Sequence, residues 1–475
     1  MDVRPFWLAG QAATGEDEII VTSPYDDRVV GAAAVPTPEQ VERAVAAADA
    51  VRRTAAALPV HTRAEALAHV SRRLAERAAG VAELISAENG KPLMWARAEV
   101  ARAVSTFRFA AEETRRLGGE MMRLDTEPAG EGRLALVTRH PYGPVLGITP
   151  FNFPLNLVAH KVAPAIAVGA PVIIKPAPAT PLSALLLGEL LAETGLPEGM
   201  FSILPLPNER AAALVEDPRL PVVSFTGSAP VGFMIAERVP RKHVTLELGG
   251  NAAAVVLADA DLEWAATRIA LYANYQAGQS CIAVQRVLVQ DEVYDEFADR
   301  LVAKVKDLVT GDPADERTQV GPMVSEQAAR RVEQWVREAV EAGGRLLAGG
   351  GRTGALVEPT VLADVPDDAK VCREEVFGPV LVLRRVASVD EAFAVVNDSA
   401  YGLQAGVFTT SLATAFRAAK ELEVGGVIIG DVPSYRADQM PYGGVKDSGV
   451  GREGLRSAME DYTYPRTTVL TGLTL

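Results

Sequence analysis

The 475-residue sequence predicts an α/β protein: a doubly wound, Rossmann-like parallel sheet, a second α/β unit, and a small β arm. Three observations carry this. From Pro144 onward, short runs rich in Val and Ile alternate with helical patterns, as parallel strands covered on both faces require. The alternation restarts after Gly250, in a chain too long for one hydrophobic core. Outside both units, residues 133–140 (RLALVTRH) follow the turn 128–132 (PAGEG) and form the strand of a protruding hairpin.

Taken in order, the chain begins irregularly. Thr37, Pro38 and Gln40 then combine a hydroxyl cap, a proline at the first helical position and a reciprocal partner, predicting a helix to about residue 57. Thr62 with Glu65 repeats the device for a helix toward Gly80, and a third helix over 93–117 should stop at Gly118 and Gly119. In the first α/β unit the expected strands are 145–149, 172–175, 201–204, 222–225 and 244–248. Helices fall between them at 156–168, 181–194, 209–215 and 229–238. In the second, strands at 252–257, 283–289, 380–386 and 426–429 alternate with helices at 262–275, 293–309, 325–342 and 411–422. The glycine cluster 342–354 follows a helix and lacks a phosphate-loop ending, so it reads as a surface turn.

Composition narrows the function. With 61 acidic against 47 basic residues, a net charge of -14 disfavours nucleic acid as a partner. The N-terminus lacks a secretory pattern and no segment reads as a membrane span, so a cytoplasmic protein is expected. The two cysteines, Cys281 and Cys372, have no metal-binding spacing, so neither a disulfide framework nor a metal site is expected.

Ligands of doubly wound sheets bind beyond the carboxyl ends of the strands. Residues 149–152, 175–178, 226–228 and 247–250 therefore point at one crevice. The segment 225–232 (FTGSAPVG) leads a strand into a glycine turn and a helix start, where free amides and the Ser228 hydroxyl can receive a pyrophosphate. Many βα turns contain glycine without doing so. Lys175 either holds a ribose or phosphate there or is a strand-end residue reaching solvent. Glu247, in an apolar strand, is either a general base with a raised pKa or the partner of a buried donor. Asn152 sits in the rigid setting TPFNFPL, fit for an oxyanion donor or simply a turn. Cys281, in YQAGQSCIAVQR, is a reachable thiol or, as most free cysteines are, a small buried hydrophobe.

Taken together, FNFP, IKPA, FTGSxxxG, LELGG, GQSC, EEVFGPV and PYGGVKDSG resemble the ordered motif set of the NAD(P)-dependent aldehyde dehydrogenase superfamily, over nearly the whole chain. The resemblance implies that Cys281 attacks an aldehyde as nucleophile, that Asn152 and the Cys281 amide hold the oxyanion, and that Glu247 activates the water that hydrolyses the thioester. Lys161 matches a family lysine near this proton path. Glu375 and Phe377 match the pair that position the nicotinamide ribose and ring. The dinucleotide would also meet Thr149, Pro150, Lys175, Pro178, Thr226, Gly227, Ser228, Gly232, Leu248 and Gly249. NAD-preferring members commonly carry a glutamate where this chain has Pro178, so NADP should be tolerated or preferred. Gly430 replaces a usual asparagine, leaving that loop's anchoring open.

For the substrate, the loop 431–440 offers Ser434, Tyr435 and Arg436. An arginine there could fix the anionic end of a short semialdehyde, while the stronger expectation is that Arg436 faces solvent; Arg108 poses the same choice. The expected division is a cofactor domain (1–122, 142–248, 446–459), a catalytic domain (249–445) and an oligomerisation arm (123–141, 460–475). The family implies a homodimer or homotetramer. The rival readings are a CoA-acylating enzyme, whose members generally lack the glutamate at 247, and a non-catalytic protein on the same scaffold.

Overall fold

The structure is a computed structural model that describes residues 3–474; Met1, Asp2 and Leu475, which the expected boundaries included, lie outside the described residues. The alternation after Pro144 folds as its pattern requires. Strands Val145–Ile148, Val172–Lys175, Phe201–Ile203, Val222–Thr226 and His243–Glu247 pair in parallel within an eight-stranded sheet. The chain moves outward from Val145–Ile148 through Val172–Lys175 to Phe201–Ile203, then returns to the other side with Val222–Thr226 and His243–Glu247. This reversal puts the topological switch point between Ile148 and Thr226, where a crevice opens beyond the carboxyl ends. Helices Asn156–Val168, Leu182–Ala192 and Ala229–Arg238 cover the sheet, and Leu146, Ile166, Ile173, Leu187 and Val223 share its core. Every residue of Asn156–Val168 is buried, the polar Asn156, His160 and Lys161 included.

A second sheet of seven strands holds Thr360–Ala363, Val380–Val386, Arg286–Gln290, Ala253–Val256, Gln404–Phe408 and Gly426–Ile429 in parallel, with Arg345–Ala348 antiparallel at one edge. Separate apolar clusters fill its two faces. A third sheet pairs Glu120–Arg123 and Arg133–Pro141 with the tail strand Thr463–Thr471, all antiparallel.

Several local expectations are corrected. The start is not irregular: Phe6–Leu8 and Gln11–Ala13 extend the first sheet, and Val3–Arg4, Asp17–Thr22 and Val29–Val35 form another. Val3–Arg4, Phe6–Leu8 and Gln11–Ala13 are too short to show alternation, and pairing alone defines them. Asp17–Thr22 and Val29–Val35 are longer, but acidic residues open the one and Gly and Ala, poor strand formers, fill the other. The capping box at Thr37 and Gln40 forms. That at Thr62 and Glu65 does not, because Pro59 starts the helix Val60–Glu76 earlier and leaves Thr62 inside it. The helix breaks at Arg77, and Ala78–Asn89 follows with exposed Gly80 in its first turn, where a glycine costs little. The third helix ends at Thr114. The strand expected from 283 begins at Arg286, since the preceding residues are drawn into the Cys281 loop. The cluster 342–354 contains the strands Arg345–Ala348 and Arg352–Thr353 rather than turn alone.

Candidate active site

The loop beyond Ile148 is fixed from behind by a buried carboxylate. Glu99 Oε1 accepts the backbone N–H groups of Leu155 at 2.9 Å and Asn156 at 3.1 Å, while Lys91 pairs with its other oxygen. A carboxylate is favoured at the N-terminus of Asn156–Val168 by the free amides there. The buried Asn152 amide donates to the Gln279 carbonyl at 3.0 Å, which leaves its second N–H free for a ligand.

The Cys281 loop closes against this one. Helix Leu262–Asn274 ends, and Gln276, Ala277 and Gly278 take φ of 52°, 54° and 69°. Left-handed backbone costs a non-glycine residue about 1–3 kcal/mol and persists only where the surroundings enforce it. Here they do: Gln276 Nε2 donates to the Asn152 carbonyl at 2.7 Å, and Gln279 Oε1 accepts the Val324 N–H at 2.9 Å. A Cβ on Gly278 would stand 2.1 Å from the Gly378 carbonyl oxygen, so the loop rests directly on the EEVFGPV segment. Cys281 is partly exposed, and its Sγ lies 3.0 Å from Tyr442 Oη. Burial of the sulfur pushes the thiol up to about 12, with the Tyr442 hydrogen bond opposing.

Glu247 ends its strand buried, and among the described residues neither carboxylate oxygen has a hydrogen-bond partner. Burial, followed by the neighbouring Glu453, raises its pKa well above the carboxylate range, against Arg436, Lys161 and Arg452. Lys161 is fully buried and donates to Ser224 Oγ at 3.0 Å and Glu453 Oε1 at 3.3 Å. Burial lowers its pKa, with Glu453 opposing. Lys161 thus acts on Glu247 through its charge and stays behind the cavity wall.

Arg436 does not face solvent. Its side chain is 6% exposed, pairs with Glu453 Oε2 at 3.0 Å and covers the Tyr442 ring at 3.8 Å. The loop is pulled inward by Asp438, which accepts from Arg102 at 2.9 Å and contacts His160 Nε2 at 3.1 Å. Arg436 Nε is buried without a partner among the described residues. Arg108, by contrast, is an exposed helix residue lying over Phe109. Ser434 Oγ donates to the Ile282 carbonyl at 2.6 Å, and Gly430, with φ 76°, is anchored by Trp264 Nε1 on its carbonyl at 3.0 Å.

One cavity of about 750 Å³ joins these groups. Asn152, Glu247, Cys281, Ser434, Tyr435, Arg436 and Arg102 line it together with Pro150, Thr226, Gly227, Ser228, Leu248, Gly249, Glu375 and Phe377. Ser228 precedes helix Ala229–Arg238 without spending its hydroxyl on the cap, and the Thr149 and Thr226 hydroxyl oxygens are buried without partners among the described residues. Glu375 Oε1 accepts the Gly250 N–H at 2.9 Å, and burial pushes its carboxyl up to about 7 against that bond and Arg331. A Cβ on Gly249 would meet Glu375 Oε2 at 2.3 Å, so this approach needs a glycine. Phe377, at φ 48°, meets Phe151 edge-on at 5.9 Å. Unspent hydroxyls, an open helix N-terminus and an uncovered carboxylate fit a dinucleotide.

Thr149, Lys161, Lys175, Pro178 and Gly232 lie outside the cavity lining. Lys175 is buried, not solvent-reaching: Nζ donates to Asn208 Oδ1, and burial brings its pKa down to about 8. Pro178 is half-buried, and Gly232 lets its helix pack onto Leu248. Sequence reasoning assigned no part to Arg102 or Glu453. Both are charged residues in segments that resemble ordinary surface, and only burial distinguishes them. Tyr442 stood inside a recognised motif without a role of its own.

Comparison with known proteins agrees with this geometry. The chain is 43% identical over 466 residues to 3-sulfolactaldehyde dehydrogenase of Priestia aryabhattai, covering 98% of this chain and 97% of that protein. The crystal structure of aldehyde dehydrogenase 21 from Physcomitrella patens, in complex with the reaction product succinate, superposes with a TM-score of 0.97. It is 44% identical, covering 99% of this chain and 98% of that one. NADP-dependent glyceraldehyde-3-phosphate dehydrogenase from Bacillus halodurans, complexed with NADP, gives a TM-score of 0.95 at 36% identity, covering 99% of this chain and 100% of that one. Residues 10–468 match the family model for aldehyde dehydrogenases, and this chain belongs to the aldehyde dehydrogenase family.

Proposed function

We propose that the protein oxidises a short aldehyde bearing an anionic end to the carboxylic acid, with NADP or NAD as oxidant. The observation that carries this is the joint presence of Cys281, Asn152 and Glu247 on one cavity that also takes in the helix start at Ser228. Cys281 attacks the aldehyde carbon, and the free N–H of Asn152 with the Cys281 amide receives the oxyanion. When bound, the nicotinamide supplies the acceptor for the hydride leaving the adduct carbon. Glu247, whose raised pKa makes its carboxylate a stronger base, then takes a proton from the water that releases the acid from the Cys281 thioester. Arg436 and Lys161 favour the ionised Glu247 carboxylate that accepts this proton. Thr226, Ser228, Glu375 and Phe377 would hold the cofactor. Pro178 offers no carboxylate to repel a 2′-phosphate, which supports use of NADP.

Arg436 and Arg102 support the substrate class. Arg436 brings an unpartnered Nε to the cavity wall, and Arg102 commits Nε and Nη2 to Asp438 but leaves Nη1 free. The three relatives are named for a sulfonated aldehyde, for succinate as product and for a phosphorylated aldehyde, which agrees with an arginine-lined end. The test is a panel of short aldehydes with and without an anionic group, read by reduced cofactor, with NAD or NADP and with or without CoA. Anionic aldehydes should show the highest kcat/KM, and Arg436→Lys should raise their KM about tenfold or more while sparing neutral ones. Equal rates across the panel would defeat the anionic class. Strict dependence on CoA would defeat hydrolysis. Pro178→Glu should lower the preference for NADP over NAD about tenfold.

A further inference from the structure

Beside the nucleophile stands a hydroxyl that the reaction above does not use. The Tyr442 ring packs with Ile282 and Leu403 in a small apolar cluster against which Cys281 lies. Phenylalanine would serve that packing equally. A buried phenol hydroxyl needs a partner, and among the described residues the hydrogen bond found for this one goes to Cys281 Sγ at 3.0 Å. The Arg436 guanidinium lies over the Tyr442 ring, 3.8 Å from its centroid, and restrains the tyrosine in that pose. Next in the chain, Gly443 lets the turn pass close to Glu247, where a Cβ would stand 2.9 Å from Oε1.

We propose that Tyr442 is a further catalytic residue, whose hydroxyl donates a hydrogen bond to the Cys281 sulfur, holds it at the cavity wall and stabilises the thiolate. The inference rests on the reading of Cys281 as nucleophile. The groups acting on the sulfur are few. Glu375 and Glu247 disfavour its ionisation, Arg436 favours it, and the Tyr442 hydrogen bond is the largest influence in favour. Tyr275, bonded to Ser280, is a further neighbour. Ionisation releases the thiol proton to water. The phenol keeps its own, because burial and then Cys281 hold it well above its ordinary range, so Tyr442 acts as donor and not as base.

The test is alkylation of Cys281 by iodoacetamide as a function of pH, followed by peptide mass spectrometry in the full-length enzyme without cofactor. Cys372 serves as the internal reference. Tyr442→Phe keeps the ring and the Arg436 contact. The Cys281 profile should move up by about one pH unit, making alkylation about tenfold slower at a fixed pH below the midpoint, with Cys372 unchanged. Steady-state kcat should fall while the aldehyde KM holds. Site-specific incorporation of 3,5-difluorotyrosine at position 442, a more acidic donor of nearly the same shape, should move the profile down. An unchanged or lowered profile in Tyr442→Phe overturns the proposal. Should that variant fail to fold, an unshifted profile in the fluorinated enzyme does so. Failure of the nucleophile reading is separate: it would appear as full turnover in Cys281→Ser, whatever the alkylation profile.

Discussion

Replacing Glu247 with glutamine separates the two halves of the proposed cycle. The change removes a proton site and almost nothing of the shape. Both oxygens of the wild-type carboxylate are buried without hydrogen-bond partners, and the Lys161–Glu453 and Arg436–Glu453 pairs survive without it. A general base poised near the working pH contributes about 10²–10⁴-fold, which is about 3–5 kcal/mol of barrier. Steady-state turnover should fall by that factor. Asn152 and Cys281 are untouched, so rapid mixing should still show a burst of reduced cofactor of about one equivalent per active site, with the acyl adduct found on Cys281 by intact mass. Wild-type turnover would refute the assignment. Loss of the burst would refute confining Glu247 to hydrolysis, because the same carboxylate would then be needed for attack. Stability gives an independent reading. Burial raises the folded pKa of Glu247 above 4.5, so its contribution is full below pH 4.5 and is lost as pH rises toward the raised value. Urea unfolding across that window should show the glutamine variant gaining on the wild type as pH increases.

Three further outcomes are expected. Asn152→Ala removes the free N–H of a residue that lines the cavity with Cys281 and should lower kcat/KM about 10²–10³-fold, measured with saturating cofactor. Lys175→Met should stabilise the fold. The lysine's drop from 10.5 to about 8 corresponds to about 3 kcal/mol against the charged form, with Nζ held by Asn208. A depressed pKa takes its toll as pH falls through about 8, so the gain should be present at neutral pH and fade by pH 10.5 in chemical denaturation. Gly278→Ala places a Cβ 2.1 Å from a backbone oxygen at φ 69°. It should cost more than about 2 kcal/mol, seen as a lower Tm with loss of activity.

The legible parts of this molecule are those in which a local pattern dictates a local backbone. Runs such as VIIK and VVSF can only be buried strands, and helices 156–168 and 229–238 have the ends their sequences indicate. The shortest strands near the N-terminus were invisible because a strand of two or three residues is defined by its neighbour. Helix starts failed where a proline displaced the hydroxyl signal, as Pro59 displaced Thr62.

By itself the sequence determined the order of strands and helices between Pro144 and Gly250, the glycine turns at the strand ends, and the residue types at Asn152, Glu247 and Cys281 that invite this chemistry. Only the tertiary structure decided who meets whom. Asn152 and Gln279 bond across 127 positions of sequence. Arg436 was turned from solvent to a buried wall by Asp438 and Glu453, and Tyr442 was brought onto the Cys281 sulfur. Periodicity reports which face of an element is apolar. A charged side chain's burial and partners depend on chain that folds back from far away, and no local pattern carries that information.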